Sequence, residues 1–232
     1  MMILGNNCTR TCKFCAVDHG RPTPVDPAEP AHVAEAVATL NLRYAVITCV
    51  TRDDLPDGGA AQMAATVNAI RTRCPDTKVE VLCSDYQEQH EAIDCVLAAG
   101  PVVFGHNLET VARLTPLIRS HADYQRSLRV LRYAAEHATS GTLAKSGLML
   151  GLGENAAEIR QALEDLRATG VTMVTMGQYL QPTKDNWPVA RIVHPDEFTQ
   201  WAEIAEHELG FKKAVCGPLV RSSYLAEEAY NG

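Results

Sequence analysis

Short apolar runs alternate along the chain with longer segments in which apolar residues recur at helical spacing. In one such segment Val33, Val37 and Leu40 fall on one face of a helix, and Gly170 ends another segment as a helix cap commonly does. The apolar runs predict six strands, over residues 1–6, 44–50, 78–84, 101–107, 143–151 and 171–179. Strands that alternate with helices indicate a parallel sheet with right-handed crossovers.

This alternation predicts an α/β fold, and we expect a partial (βα)6 TIM-type barrel with parallel strands and a C-terminal helix-strand extension. A doubly wound sheet is the alternative that the same pattern allows. We expect the partial barrel over residues 1–180 and the extension over 181–232, packed on the same domain. The extension should contain a helix near 196–209 and a strand at 212–216.

Composition narrows the class of protein. The chain has 232 residues, 46% of them hydrophobic, and a net charge of −7, which argues against a nucleic-acid partner. No apolar run reaches the length of a membrane span, and the first residues do not form a signal peptide. We therefore expect a cytoplasmic protein with no membrane partner, whose eight cysteines stay reduced.

The stretch CTRTCKFC places Cys8, Cys12 and Cys15 in a loop after the first predicted strand. Closely spaced thiolates hold iron–sulfur clusters, and three ligands around four irons leave one iron open to bind a substrate. A zinc site completed by His19 is the main alternative. A thioredoxin-type pair of Cys12 and Cys15 leaves Cys8 unexplained.

Polar residues follow several predicted strands, where the side chains of a parallel sheet meet at one mouth. Asp57, Gly58 and Gly59 form a turn that suits either helix capping or the binding of an ammonium group. Asn107 and Glu109 suit ribose binding or capping of the next helix.

Residues 151–156, GLGENA, follow a strand and open a helix as a dinucleotide fingerprint does. The next strand ends in Gly177 and Gln178 instead of the acidic residue that holds a ribose. We therefore do not expect a dinucleotide site.

Taken together, the motifs of the chain resemble, in order, those of the lipoyl synthases, a family of radical S-adenosylmethionine enzymes. They run from about residue 2 to residue 226 and include ILGNNCTRTCKFCAV, VITCVTRDDLPDGGA, HNLETV, KSGLMLGLGE, GQYLQPTKDNWPV and GPLVRSSY. The resemblance implies that Cys8, Cys12 and Cys15 ligate a 4Fe-4S cluster whose open iron binds S-adenosylmethionine. It implies reductive cleavage of that cofactor by an external electron donor, and sulfur insertion at carbons 6 and 8 of an octanoyl chain on a lipoyl carrier protein.

The same resemblance implies roles for the polar residues after the strands. The turn of Asp57, Gly58 and Gly59 should approach the amino group of the methionine moiety. Four residues should lie beside the nucleoside or the methionine: Asn107, Glu109, Lys145 and Ser146. The adenine side should be lined by Gln178 and Tyr179.

Lipoyl synthases bind a second, sulfur-donating 4Fe-4S cluster through three cysteines that precede the first strand and one serine of an RSSY motif. The motif is present, so Ser222 or Ser223 is a candidate ligand, but the printed sequence has no cysteine before Cys8. A truncated sequence, a partner chain that supplies the ligands, and loss of sulfur insertion are three explanations. A fourth is replacement ligation near the strand ends, for which the candidates are Cys49, Cys83 and Cys216; buried cysteines that act as small apolar residues are the alternative.

Three residues of site loops, Thr51, Gly105 and Leu225, differ from those usual in the family. These departures keep a second hypothesis open. It is a relative that cleaves S-adenosylmethionine without sulfur insertion, or that binds a carrier protein or a metal without turnover.

Overall fold

The computed structural model describes residues 1–138 and 141–231. In chain order its strands are β1 (Met2–Ile3), β2 (Asn7–Cys8), β3 (Asp18–His19), β4 (Tyr44–Cys49), β5 (Lys78–Leu82), β6 (Val103–Gly105), β7 (Leu143–Leu150), β8 (Met173–Gln178) and β9 (Lys213–Gly217). The short strands β2 and β3 pair with each other on either side of the cysteine loop. This pairing was not predicted.

The other seven strands form one parallel sheet in the order β1-β4-β5-β6-β7-β8-β9. Sequential order is that of a TIM-type barrel, whereas a doubly wound sheet reverses its order at a switch point. The structure therefore confirms the predicted α/β partial-barrel class. The strand predicted for the C-terminal extension is β9, which pairs with β8 as a seventh strand of the sheet. The division between 1–180 and 181–232 stays a prediction.

Helices connect the strands and cover the sheet. They are α1 (Glu29–Thr39), α2 (Ala60–Arg73), α3 (His90–Ala98), α4 (Thr115–Ile118), α5 (Tyr124–His137), α6 (Ala156–Ala168), α7 (Pro195–Glu203) and α8 (Ala226–Asn231). The helix predicted near 196–209 is α7 followed by a π-helical turn at Ile204–Glu208. At the start of α6, Asn155 and Glu158 form a capping box, so the segment that resembled a dinucleotide fingerprint begins a helix.

Apolar residues form separate clusters beneath these helices. One cluster joins β4, β5 and helices α1 to α3, a second joins β7, β8 and helices α5 to α7, and a small third cluster contains Val103, Met173 and Ala229. Strand β8 is buried at every position, as expected of a parallel strand covered on both faces. None of the helices in the described ranges has both the length and the apolar character needed to cross a bilayer.

Candidate functional site

The three motif cysteines line one cavity of about 340 Å³ beside the carboxyl ends of β4 and β5. Two further thiols, Cys49 at the end of β4 and Cys83 just after β5, line the same space. We call it the thiol cavity; its sulfur-bearing residues are Cys8, Cys12, Cys15, Cys49 and Cys83. The cysteines that the sequence singled out as cluster ligands therefore line one common cavity.

All eight cysteines are free thiols. The Sγ atoms of Cys8 and Cys15 accept hydrogen bonds, both of 3.4 Å, from the backbone N–H groups of Arg10 and Val17. Burial raises the pKa of Cys12 to about 11, although the positive charge of Arg119 opposes the shift. Among residues 1–138 and 141–231, no three Cys, His, Asp or Glu side chains are already drawn together as a metal site.

An arginine inside the cysteine motif fixes the loop. Arg10, only 5% exposed, donates to Asp53 Oδ2 at 2.8 Å and to Asp85 Oδ1 at 2.6 Å. Because Asp53 follows β4 and Asp85 follows β5, this guanidinium ties the cysteine loop to two strand ends. Burial alone would raise the pKa of Asp85, but the hydrogen bond from Arg10 holds it well below its usual range.

The role of Arg10 was not predicted from the sequence. The available signal was an arginine between two cysteines together with carboxylates directly after two apolar strands. That pattern shows which groups are available for ion pairs, but it does not show that they meet.

Asn107 and Glu109 form a wall between the thiol cavity and a second cavity of about 330 Å³. The amide Nδ2 of Asn107 donates to Glu109 Oε1 at 3.1 Å and to Ser222 Oγ at 2.9 Å. We call the second space the hydroxyl cavity, because its polar lining includes Thr48, Thr175, Ser222 and Ser223. The predicted pairs Asn107–Glu109 and Ser222–Ser223 are thus neighbours at one site.

The turn at Asp57 holds the start of helix α2. Asp57 accepts hydrogen bonds from the N–H groups of Gly59, at 2.9 Å, and Ala61, at 2.8 Å, and so caps the start of α2. Gly58 packs against the ring of Tyr86. This arrangement matches the turn-and-cap alternative, and a role for the turn near the methionine moiety stays a prediction.

Lys145 lies inside the sheet, in an ion pair that the sequence did not reveal. Its Nζ donates to Glu80 Oε1 and to the carbonyl of Ser222, both at 2.7 Å. Glu80 also accepts a 2.7 Å hydrogen bond from the hydroxyl of Tyr44. Ser146 is fully buried and accepts a hydrogen bond from a backbone N–H. The roles predicted for Lys145 and Ser146 beside the cofactor stay predictions.

Gln178 and Tyr179 are buried and hold the segment that follows β8. Gln178 accepts from the N–H of Val193 at 2.8 Å, and the hydroxyl of Tyr179 donates to the carbonyl of Trp187 at 2.6 Å. Neither is among the described residues that line the two cavities. Their predicted position on the adenine side stays a prediction.

The candidate replacement ligands do not gather around the serines. Cys49 and Cys83 face the thiol cavity, whereas Cys216 lies in β9 opposite Met176 and packs against the apolar cluster of β7 and β8. Two of the three candidates therefore line the same cavity as the motif cysteines. None of the three is among the described residues that line the hydroxyl cavity.

Residues 2–166 match the family model of the Radical SAM superfamily. Among solved structures, the FeFe-hydrogenase maturase HydG from Carboxydothermus hydrogenoformans superposes with a TM-score of 0.76 at 11% identity, over 98% of this chain and 55% of that one. Methylornithine synthase (PylB) gives a TM-score of 0.66 at 12% identity, over 92% of this chain and 63% of that one. At such identities these structures show the fold alone, and the chain spans less than two thirds of either. The fold and the family model together define a radical S-adenosylmethionine protein.

More similar relatives identify the family within that class. The lipoyl synthase of Pyrobaculum calidifontis is 57% identical over 233 residues, covering 99% of this chain and 79% of the relative. That of Thermus thermophilus is 52% identical over 232 residues, covering 99% and 71%. The chain belongs to the lipoyl synthase family. The predicted family and enzyme class, a radical S-adenosylmethionine sulfurtransferase, are confirmed.

Proposed function

We propose that this enzyme binds a 4Fe-4S cluster through Cys8, Cys12 and Cys15 and inserts sulfur into an octanoyl chain on a lipoyl carrier protein. S-Adenosylmethionine is the proposed second cofactor. One observation carries the proposal: the three motif cysteines line one cavity at the carboxyl end of a parallel sheet, beside Asn107 and Glu109. This end of the sheet is where enzymes of the barrel type place their active sites.

The thiol cavity suits an iron–sulfur cluster chemically. Its thiols are free, and cysteine thiolates are the usual ligands of such clusters. Backbone N–H groups already donate to two of the sulfurs, and hydrogen bonds of this kind help to set a cluster's reduction potential. The volume of about 340 Å³ lies in the range of cofactor sites. Binding would draw the sulfurs together and release their protons.

A bound, reduced cluster would supply the electron that cleaves S-adenosylmethionine and starts radical chemistry on the octanoyl chain. The residues of this chain position the reactants. Arg10 fixes the cysteine loop on two strand ends, and Asn107 and Glu109 offer an amide and a carboxylate for the polar groups of the cofactor. Arg10 is buried, and Asn107 and Glu109 are half-buried, which would limit the access of water to the reaction.

We assign the sulfur-donating half of the reaction to the hydroxyl cavity, with Ser222 as the first candidate ligand of a second 4Fe-4S cluster and Ser223 as the second. The contact between Asn107 and Ser222 supports this assignment, because it places the serine hydroxyl beside the wall shared by both cavities. A reducing cytoplasm suits both the free thiols and the proposed clusters.

Anaerobic reconstitution tests the proposal. The wild-type protein should retain about four irons per chain, or about eight if a second cluster forms. Cys12→Ser should lose this iron, whereas Cys95→Ser, a matched change on α3 outside the thiol cavity, should retain it. With reductant, S-adenosylmethionine and an octanoylated carrier, 5′-deoxyadenosine should form only when the carrier is present.

Two outcomes would overturn the proposal. One is a colourless protein that holds a single zinc after reconstitution, and the other is a Cys12→Ser variant that keeps its iron. Carrier-dependent 5′-deoxyadenosine without a thiolated product would favour the second hypothesis, in which the cofactor is cleaved but sulfur is not inserted.

A further inference from the structure

A segment distant in sequence lies directly on the turn that carries two of the cysteines. We call residues 181–193 the clasp; they follow β8 and cross the Cys12–Cys15 turn. The Nδ2 group of Asn186 donates to the carbonyl of Lys13 at 3.1 Å and to that of Cys15 at 3.0 Å. The N–H of Trp187 donates to the same Lys13 carbonyl at 2.8 Å. Three hydrogen bonds thus join two segments about 170 residues apart.

The side chain of Asn186 is held in a single orientation. Its Oδ1 accepts from the N–H of Thr183 at 3.1 Å and from the hydroxyl of Thr183 at 2.7 Å. Because Oδ1 is occupied on this side, both N–H groups of the amide point at the cysteine turn. A side-chain amide has two donors and one acceptor oxygen with two lone pairs, and here all four positions are used.

The clasp is itself attached to the sheet. Tyr179, directly after β8, donates from its hydroxyl to the carbonyl of Trp187 at 2.6 Å. The indole N–H of Trp187 donates to the carbonyl of Leu152 at 3.0 Å. A Cβ on Gly151 would overlap the carbonyl of Arg191, so glycine allows the clasp to pass close to the end of β7. The clasp is therefore attached to the segments that follow β7 and β8.

The opposite edge of the turn is held by the last residue of α4, Ile118, and by Ser120, two residues further on. The N–H of Lys13 donates to the carbonyl of Ile118 at 2.8 Å, and the N–H of Thr11 donates to the hydroxyl of Ser120 at 2.7 Å. The cysteine turn is consequently fixed from both sides. Asn186 is the side chain of the clasp that contacts Cys15 directly.

We propose that Asn186 is a positioning residue, which holds the Cys12–Cys15 turn in the conformation that presents both thiols to the thiol cavity before any cluster is bound. Sites whose supporting residues hold the ligands in place bind more tightly, because less conformational entropy is lost on binding. The inference rests on the proposed function for its consequence, retention of a cluster, but the restraint on the turn exists without one.

Asn186→Asp is the sharpest test. It keeps the shape and the acceptor atoms but replaces the donating amide with a carboxylate oxygen that faces two carbonyl oxygens. After anaerobic reconstitution and desalting, we expect iron per chain to fall at least threefold, and the electron paramagnetic resonance signal of the remaining reduced cluster to change. The matched control is Asn231→Asp, the same chemical change at an exposed position on α8 that contacts Lys78. It should retain iron and signal at wild-type values.

Hydrogen–deuterium exchange on the metal-free protein gives a measurement independent of the cluster. Asn186→Ala removes the two donors without adding charge, so we expect peptides covering residues 11–17 to exchange at least fivefold faster than in the wild type. Peptides of α6 should be unchanged. Wild-type iron in Asn186→Asp, or unchanged exchange in Asn186→Ala, would overturn the inference. Failure of the wild-type protein to bind iron would instead refute the proposed function, and the exchange experiment would still test the restraint.

Discussion

The thiol cavity and the hydroxyl cavity are almost equal in volume, about 340 and 330 Å³, and share Asn107 and Glu109 as a wall. Their chemistry differs. Five thiols line the first, whereas the described residues that line the second include no cysteine and comprise hydroxyl-bearing residues, Arg221 and apolar residues beside the shared Asn107 and Glu109. One mouth of one sheet therefore offers soft sulfur ligands on one side and hard oxygen ligands on the other, with an amide and a carboxylate between them.

The two cavities are also held together by different interactions. Around the thiol cavity, loops are joined to one another by Arg10 and its carboxylates and by the clasp. Around the hydroxyl cavity, a buried ion pair between Lys145 and Glu80 holds the carbonyl of Ser222 from inside the sheet. Because these interactions use different residues, each cavity can be disrupted separately.

The largest effect is expected from Lys145→Met, which leaves the carboxylate of Glu80 buried without its cation. Removing one partner of a buried ion pair typically costs about 3–5 kcal/mol. We expect the free energy of unfolding, measured by urea titration of the metal-free protein, to fall by about this amount.

A surface pair provides the control for this experiment. Arg73 and Glu35 are both more than half exposed, so Arg73→Ala should cost less than about 1 kcal/mol. If Lys145→Met were no more destabilising than Arg73→Ala, the ion pair of Lys145 and Glu80 would not be what holds the segment that contains Ser222.

Acidification should destabilise the protein through His106, which lines the thiol cavity. Burial, with a further contribution from Arg119, lowers the pKa of His106 to about 4. In the unfolded chain the histidine takes up its proton near pH 6.5. The unfolded state is therefore the more protonated one between these values, so stability should be full above pH 6.5 and decline as the pH falls toward 4. The decline attributable to His106 is at most about 1.4 kcal/mol per pH unit.

His106→Gln isolates this contribution, since the carboxylates of the protein titrate in both variants. Unfolding free energies at pH 7, 6 and 5 should fall more steeply in the wild type than in His106→Gln. Parallel pH profiles would show that His106 binds its proton equally well in the folded state.

Gly177→Ala should disturb the hydroxyl cavity and leave the thiol cavity intact. A Cβ on Gly177 would overlap the carbonyl oxygen of Val220, so Gly177→Ala must displace the backbone that leads to Ser222. Overpacking of this kind costs about 1–3 kcal/mol. Iron bound at the thiol cavity should stay at the wild-type value, and the destabilisation should appear in urea titration. Loss of that iron would contradict the separation of the two cavities.

The sequence predicted the sheet well, because strand–helix alternation and apolar periodicity are local signals. Residues after parallel strands meet at one mouth, and two of the predicted residues, Asn107 and Glu109, line both cavities there, whereas Gln178 and Tyr179 line neither. The sequence did not reveal how the residues of the mouth pair. Lys145 contacts Glu80 and Ser222 across 65 and 77 positions, and Asn186 contacts Cys15 across 171, and no local pattern specifies such contacts. Nor did the sequence reveal that the hydroxyl of Tyr179 holds the clasp; the predicted position of Tyr179 beside adenine stays a prediction.

The smallest effect is expected from Cys216→Ala, and it sharpens the comparison most directly. Burial raises the pKa of Cys216 to about 12, and its side chain packs against the apolar cluster that includes Met176. A thiol in this setting is a small apolar residue, so removing it should cost about 1 kcal/mol or less.

Iron per chain should not change in Cys216→Ala, because the thiol is not among the described residues that line either cavity. Cys95→Ala on α3 is the matched control for the loss of a partly buried thiol. If Cys216→Ala lost iron while Cys95→Ala did not, Cys216 would have to reach a cluster beside Ser222. That result would contradict the division of the mouth into one cavity with thiol ligands and one with hydroxyl ligands.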